Sequence, residues 1–170
     1  MRINEDHLCH VAALTQIAEY PTFKAINAFE PTKGERSRSA FSVNHDTGVY
    51  LKYATRPTKT FKEYVFTFSS ANFDELAALK AHYHSRVFVV LVCHQAKEIC
   101  VVTLDALEGH RADSEKSNGA AEPHYQRLVT VPATKSFRVY MNAPGKKKTS
   151  LKQQIVSRNE FPRAVFNGTP

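Results

Sequence analysis

The sequence predicts an α+β domain: a mixed, largely antiparallel central sheet of about five to seven strands with two main helices packed on it. Three observations carry that expectation. Residues 39–45 and 49–56 alternate apolar and polar side chains with a period of two, and 63–69 are rich in aromatic and branched residues. Residues 5–20 and 72–83 instead repeat their apolar positions at helical spacing. Between them and the C-terminal half, "RVFVVLVC" (86–93) is apolar at nearly every position, as in a strand covered on both faces.

The elements follow in order. In "EDHLCHVAALTQIAEY" (5–20), Leu8, Val11, Leu14 or Ala12, and Ile17 or Ala18 form one helical stripe. Asn4 stands at the N-cap, and the acids of the first turn complement the helix dipole. Pro21 ends this helix, and "TFKAINAF" is expected to add a further helical turn before Pro31. "TKGERSRS" is a charged loop. "SAFSVNH" (39–45) and "VYLKYATR" (49–56) form a hairpin around "DTG", with Gly48 suited to a positive φ. "EYVFTFS" (63–69) is a third strand. Ser70 or Asn72 caps the next helix, whose inner side holds Phe73, Leu76, Leu79 or Lys80, and Tyr83.

"RVFVVLVCHQAKEICVVTL" then reads as strand, polar turn, strand. Its Cys93, His94, Glu98 and Cys100 look like a site by composition alone. A structural zinc site needs four ligands in paired short spacings, which are lacking here. Flanked by Val, Leu and Ile, both cysteines are expected to be buried hydrophobes. Residues 109–124, "GHRADSEKSNGAAEPH", show no periodicity and are expected to form a flexible loop. "RLVTVPA", "KSFRVYMNA" and "LKQQIV" supply further strands, and Phe161 and Phe166 anchor the C-terminus.

Composition bounds the function. The 170 residues suit a single domain, with a core about 5–107 and a basic C-terminal region 125–166. Eighteen Phe and Tyr residues provide for a sizeable core. No long apolar run suggests a membrane span, and "MRINEDHLCHVAAL" lacks the pattern of a signal peptide. Three cysteines without CxxC spacing point to free thiols in the cytoplasm.

The net charge of +7 is concentrated. Residues 135–163 hold eight bases (Lys135, Arg138, Lys146, Lys147, Lys148, Lys152, Arg158, Arg163) against one acid, Glu160. The fifteen bases and fifteen acids elsewhere cancel. Such segregation points to a polyanionic partner, DNA or RNA, because Lys and Arg beside phosphates release condensed counterions. "FRVYMNAPGKKKTSLKQQ" reads as a basic hairpin, with phosphate contacts expected from Arg138, Lys146, Lys147, Lys148, Lys152 and Arg158. Gln153, Gln154 and Asn142 are available for hydrogen bonds.

The order helix, three strands, helix, strand over roughly residues 5–107 resembles the PD-(D/E)XK nuclease-like core in topology. That family places an acid on its second core strand and a Glu-x-Lys element on its third, which hold a divalent metal. Here "VYLKYATR" contains no acid, and "EYVFTFS" presents Val65, Phe66, Thr67 and Phe68 where the acid and lysine would stand. The resemblance therefore implies a catalytically degenerate, bacterial-type nucleic-acid-associated domain without a cofactor. The alternative it leaves is a Mg²⁺-dependent nuclease using Glu30, Asp46 and Glu63. A third expectation is a subunit whose basic hairpin docks on an acidic protein. Nothing matches GxSxG, HExxH or a phosphate-binding glycine loop. The close histidine pairs, His7/His10 and His82/His84, lack an accompanying carboxylate motif.

Overall fold

The computed structural model describes residues 4–142 and 150–168. Its elements run α1 (Glu5–Ala18), β1 (Ile26–Ala28), β2 (Ala40–Val43), β3 (Thr47–Ala54), β4 (Glu63–Ser69), α2 (Ser70–Tyr83), β5 (Val87–Cys93), β6 (Glu98–Thr103), α3 (Leu104–Asn118), β7 (His124–Thr130), β8 (Phe137–Asn142), β9 (Ser150–Val156) and α4 (Arg163–Asn167). The fold is α+β with mostly antiparallel strands, as expected. The strands form two sheets, β1-β2-β3-β5-β6 and β4-β7-β8-β9. Among the described residues only the β3–β5 pair is parallel.

That single parallel pair explains the path of the chain. Parallel neighbours need a crossover. After β3 the chain leaves the first sheet, lays β4 into the second, and returns through α2 to start β5 beside β3. The third strand of the sequence, β4, thus pairs with β7 rather than extending the β2–β3 hairpin.

The first sheet is buried on both faces. One face packs under α1 and α4, where Cys9, Ala13 and Ile17 meet Leu51, Phe88, Val90, Phe161 and Val165. The other packs on α2 and the second sheet, where Leu76 and Leu79 meet Tyr50, Phe66, Val89, Leu91 and Val139. Strand β5 alternates between the two clusters and every one of its residues is buried. This is why "VFVVLVC" has no polar side. Cys93 and Cys100 are free, buried thiols, as expected, and so is Cys9. Burial pushes the Cys93 thiol up to about 12, with the Glu98 charge adding to it.

Three expectations change. The segment before Pro31 forms β1 instead of a helical turn. The Asn44 side chain accepts from the amides of Lys24 and Ala25 at 2.7 and 3.3 Å and donates to the Thr22 carbonyl at 2.9 Å, tying residues 22–25 beside the β2–β3 turn. In that turn the positive φ angles fall on Asn44 and His45, not on Gly48. Gly48 is needed for space: a Cβ there would stand 2.7 Å from Tyr83 and 3.1 Å from Leu79. The flexible loop expected at 109–124 is mostly helix, since α3 runs to Asn118 and ends on Gly119 in the left-handed region.

The buried side of α1 also differs from the predicted stripe. Cys9, His10, Ala13 and Ile17 face inward, while Leu8 and Val11 are more than half exposed. The α2 face, by contrast, is Phe73, Leu76, Leu79 and Tyr83, as the spacing indicated. No helix among the described residues is long and apolar enough to cross a membrane.

Candidate functional site

Strand β2 pairs with β3 only as far as Ala40, which lies opposite Tyr50. The Leu51 amide still donates to the Ser39 carbonyl at 2.7 Å, and β3 continues to Ala54. A cleft of about 390 Å³ opens there, lined by Asp6 and His10 of α1, Arg38 and Ser39, Lys52 and Tyr53 of β3, and Thr67 of β4. A second lobe of about 590 Å³ holds Glu5, Thr55 and Arg56, and shares Tyr53 and Val65 with the first. Each falls in the size range of small-ligand pockets.

A tightly partnered polar network lies next to the cleft, between α2 and β3. Glu75 of α2 accepts from the Ser37 hydroxyl at 2.6 Å and from the Tyr50 hydroxyl at 2.7 Å. The Ser37 oxygen in turn accepts from the amides of Ser39 and Ala40, at 3.1 and 2.9 Å. Burial, then the hydrogen bond to Glu75, pushes the Tyr50 phenol well above its ordinary range. Lys52 is half-buried beside this network, its ammonium donating to the Asn72 Oδ1 at 3.0 Å and lying 5.4 Å from the centre of the Phe68 ring. Burial lowers its pKa, against the opposing pull of Glu75.

The α1 wall is set by His10, whose ring meets Phe41 and Tyr53 edge-on at 6.4 and 6.2 Å. Burial lowers the His10 pKa from 6.5, opposed by Asp6 and a hydrogen bond with the Arg38 backbone, so the imidazole is neutral at pH 7. Tyr53 donates to Asp6 at 3.4 Å. Six other cations, Arg36, Lys80, Arg86, Arg111, Arg158 and Arg163, stand in ion pairs with carboxylates. Arg38 and Lys52 make no such pair among the described residues.

The sequence-predicted acids are not brought together. Glu30 follows β1 and pairs with Arg36 at 3.1 Å. Asp46 sits in the β2–β3 turn, 3.6 Å from Arg86. Glu63 starts β4 and accepts from the Tyr140 hydroxyl of β8. Among the described residues no group of three His, Cys, Asp or Glu side chains is placed to hold a metal ion. His7 accepts from the Asn4 amide at 3.3 Å, and His82 packs against Phe29.

The basic segment divides. β8 and β9 are antiparallel arms, paired Met141 with Leu151 and Asn142 with Ser150, and β9 is the sheet edge. Arg138 is exposed on the β8 arm. Lys146, Lys147 and Lys148 lie outside the described residues, and Lys152 is placed only as a backbone position of β9. Arg158 turns inward. It pairs with Glu98, donates to the carbonyls of Lys135 and Pro132, and stands 5.5 Å from the centre of the Phe137 ring. It is a bracket between β6 and the β7–β8 loop, with Nε, Nη1 and Nη2 each engaged.

Lys52, Tyr53 and Glu75 were not singled out by the sequence. One signal existed: Lys52 shares a strand face with Tyr50, and a lysine two residues from a buried tyrosine is an unusual inward cation. No protein-family model, curated protein or solved structure matches the chain.

Proposed function

We propose that the chain is a non-catalytic nucleic-acid-binding domain that contacts phosphates through the β8–β9 hairpin. The observation that carries this reading is the location of the net charge: all +7 sits in residues 135–163, and those residues include both arms of an edge hairpin. Arg138, Lys146, Lys147, Lys148 and Lys152 are the proposed phosphate contacts. Arg158 is withdrawn from them because its guanidinium is already held by Glu98 and two carbonyls. Buried free thiols at Cys9, Cys93 and Cys100 suit a reducing compartment such as the cytoplasm. The separate contacts of Glu30 with Arg36, Asp46 with Arg86 and Glu63 with Tyr140 support the non-catalytic reading.

Binding of labelled duplex DNA, single-stranded DNA and RNA across a salt series tests the proposal. Affinity is expected to fall with salt, with a slope of about 0.9 log units per phosphate contact on duplex. Replacing Lys146, Lys147 and Lys148 together by Glu is expected to abolish binding and leave the unfolding midpoint unchanged. Retained binding overturns the hairpin assignment. No binding at low salt overturns the nucleic-acid reading and directs attention to an acidic protein partner.

A further inference from the structure

Beyond the hairpin, the structure carries a second cationic feature that the net charge does not reveal. We propose that the cleft between α1, β3 and β4 binds a nucleoside phosphate, its phosphate on Arg38 and Lys52 and its ring against Tyr53 and Val65. The inference does not rest on the hairpin.

The first argument is that Lys52 is half-buried and makes no ion pair among the described residues. A half-buried ammonium costs desolvation energy that an ion pair normally offsets. Glu75, which also accepts from Ser37 and Tyr50, offsets that cost only in part, and the direct contact that Lys52 makes is the neutral Asn72 amide. That amide also accepts from the Ser69 backbone at 3.1 Å, so it is fixed by the α2 cap. Lys52 is thereby held in one place with donors to spare. Burial lowers its pKa despite Glu75, and an anion in the cleft would oppose that shift.

The second argument is the donor set of the cleft. Arg38, Ser39 and Lys52 stand where β2 ends, and the acids Asp6 and Glu5 belong to α1. Arg38 and Lys52 line one cavity with Ser39 and Thr67, a donor set that suits a phosphate, and Asp6 shares that cavity from α1.

The third argument is the wall shared by the two lobes. Tyr53 and Val65 line both, offering an aromatic and an apolar surface between the cationic lobe and the lobe of Glu5, Thr55 and Arg56. A flat ring with donor and acceptor edges matches that lobe: stacking serves its face, and Glu5, Thr55 and Arg56 serve its edges. A bare phosphate would leave the second lobe unused. A free mononucleotide and the phosphorylated end of a strand present the same chemistry.

Calorimetric titration with adenosine and cytidine monophosphates, with inorganic phosphate alongside, is the test. The mononucleotides are expected to bind saturably and more tightly than phosphate. Lys52→Met and Arg38→Gln are each expected to weaken binding about tenfold or more. The variant with Lys146, Lys147 and Lys148 changed to Glu is expected to bind mononucleotides as the unaltered protein does. On that same variant, short oligonucleotides with and without a 5′-phosphate separate the sources: binding that needs the 5′-phosphate, without mononucleotide binding, assigns the site to strand ends. Amide shifts at Ser39, Lys52, Tyr53 and Thr67 in the unaltered protein provide a readout independent of the variants' folding. Absence of binding in all arms overturns the proposal, as does binding untouched by both substitutions or shifts confined to other residues.

Discussion

Arg127 shows at residue scale what the core tolerates. It lies on β7 opposite Phe66, 1% exposed, and among the described residues its guanidinium donates from Nη2 to the Gln154 Oε1 at 3.3 Å. Its Nε and Nη1 have no partner. Burial lowers its pKa to about 10, and the nearby Cys100 offers no counter-charge, because burial holds that thiol well above its ordinary range and so neutral. An unpaired buried charge is a cost, and an apolar side chain of similar length removes it. Arg127→Met is therefore expected to raise stability by about 1–4 kcal/mol, read from the midpoint and slope of denaturant unfolding. A fall in stability would mean that the guanidinium holds a stabilising partner in solution. Lys52 presents the same imbalance in milder form, half-buried and open to the cleft. One cation is sealed into the core and the other faces a space where an anion fits.

At the scale of elements, α3 separates local from tertiary determinants. Its N-cap is Thr103, whose hydroxyl accepts from the Ala106 amide at 3.2 Å. Its inward residues are Leu104, Leu107, His110 and Ser114, so the second half of the buried face is polar. Thr103→Ala is expected to cost about 1 kcal/mol and to speed amide exchange within 104–118 before other regions. Uniform exchange across the protein would contradict that local role. The same residues explain why the helix was not legible: with His110 and Ser114 inward, apolar periodicity stops at Leu107, and a loop is expected after it. In contrast, Phe73, Leu76, Leu79 and Tyr83 are all apolar or aromatic, and α2 was legible to within three residues. β1 was lost for another reason, since the bonds from Asn44 that hold the chain before it come from a turn about twenty residues away. The cleft suffers the same limit. Arg38, Lys52, Asp6 and Glu75 sit on four separate segments, and no local pattern brings them together.

The whole molecule is built around one strand. β5 gives Phe88, Val90 and Val92 to the α1/α4 side and Val87, Val89, Leu91 and Cys93 to the inter-sheet core. Both clusters therefore depend on the same backbone, and neither can be lost while β5 stays in register. Leu91→Ala is expected to destabilise by about 2–5 kcal/mol and Val90→Ala by about 2 kcal/mol, from lost transfer energy and the cavities left behind. Although the two side chains point to opposite faces, each substitution should lower amide protection in both sheets, at Val49 of β3 and at Val139 of β8 alike. Unfolding should remain a single transition in both variants. Leu91→Ala lowering protection in the second sheet alone would show that the two layers unfold separately. Such coupling matters for the cleft, since Lys52 and Tyr53 come from β3 and Thr67 from β4, strands of different sheets. The walls keep their spacing only while the inter-sheet core is intact, so these core substitutions are also the ones expected to loosen the site from a distance.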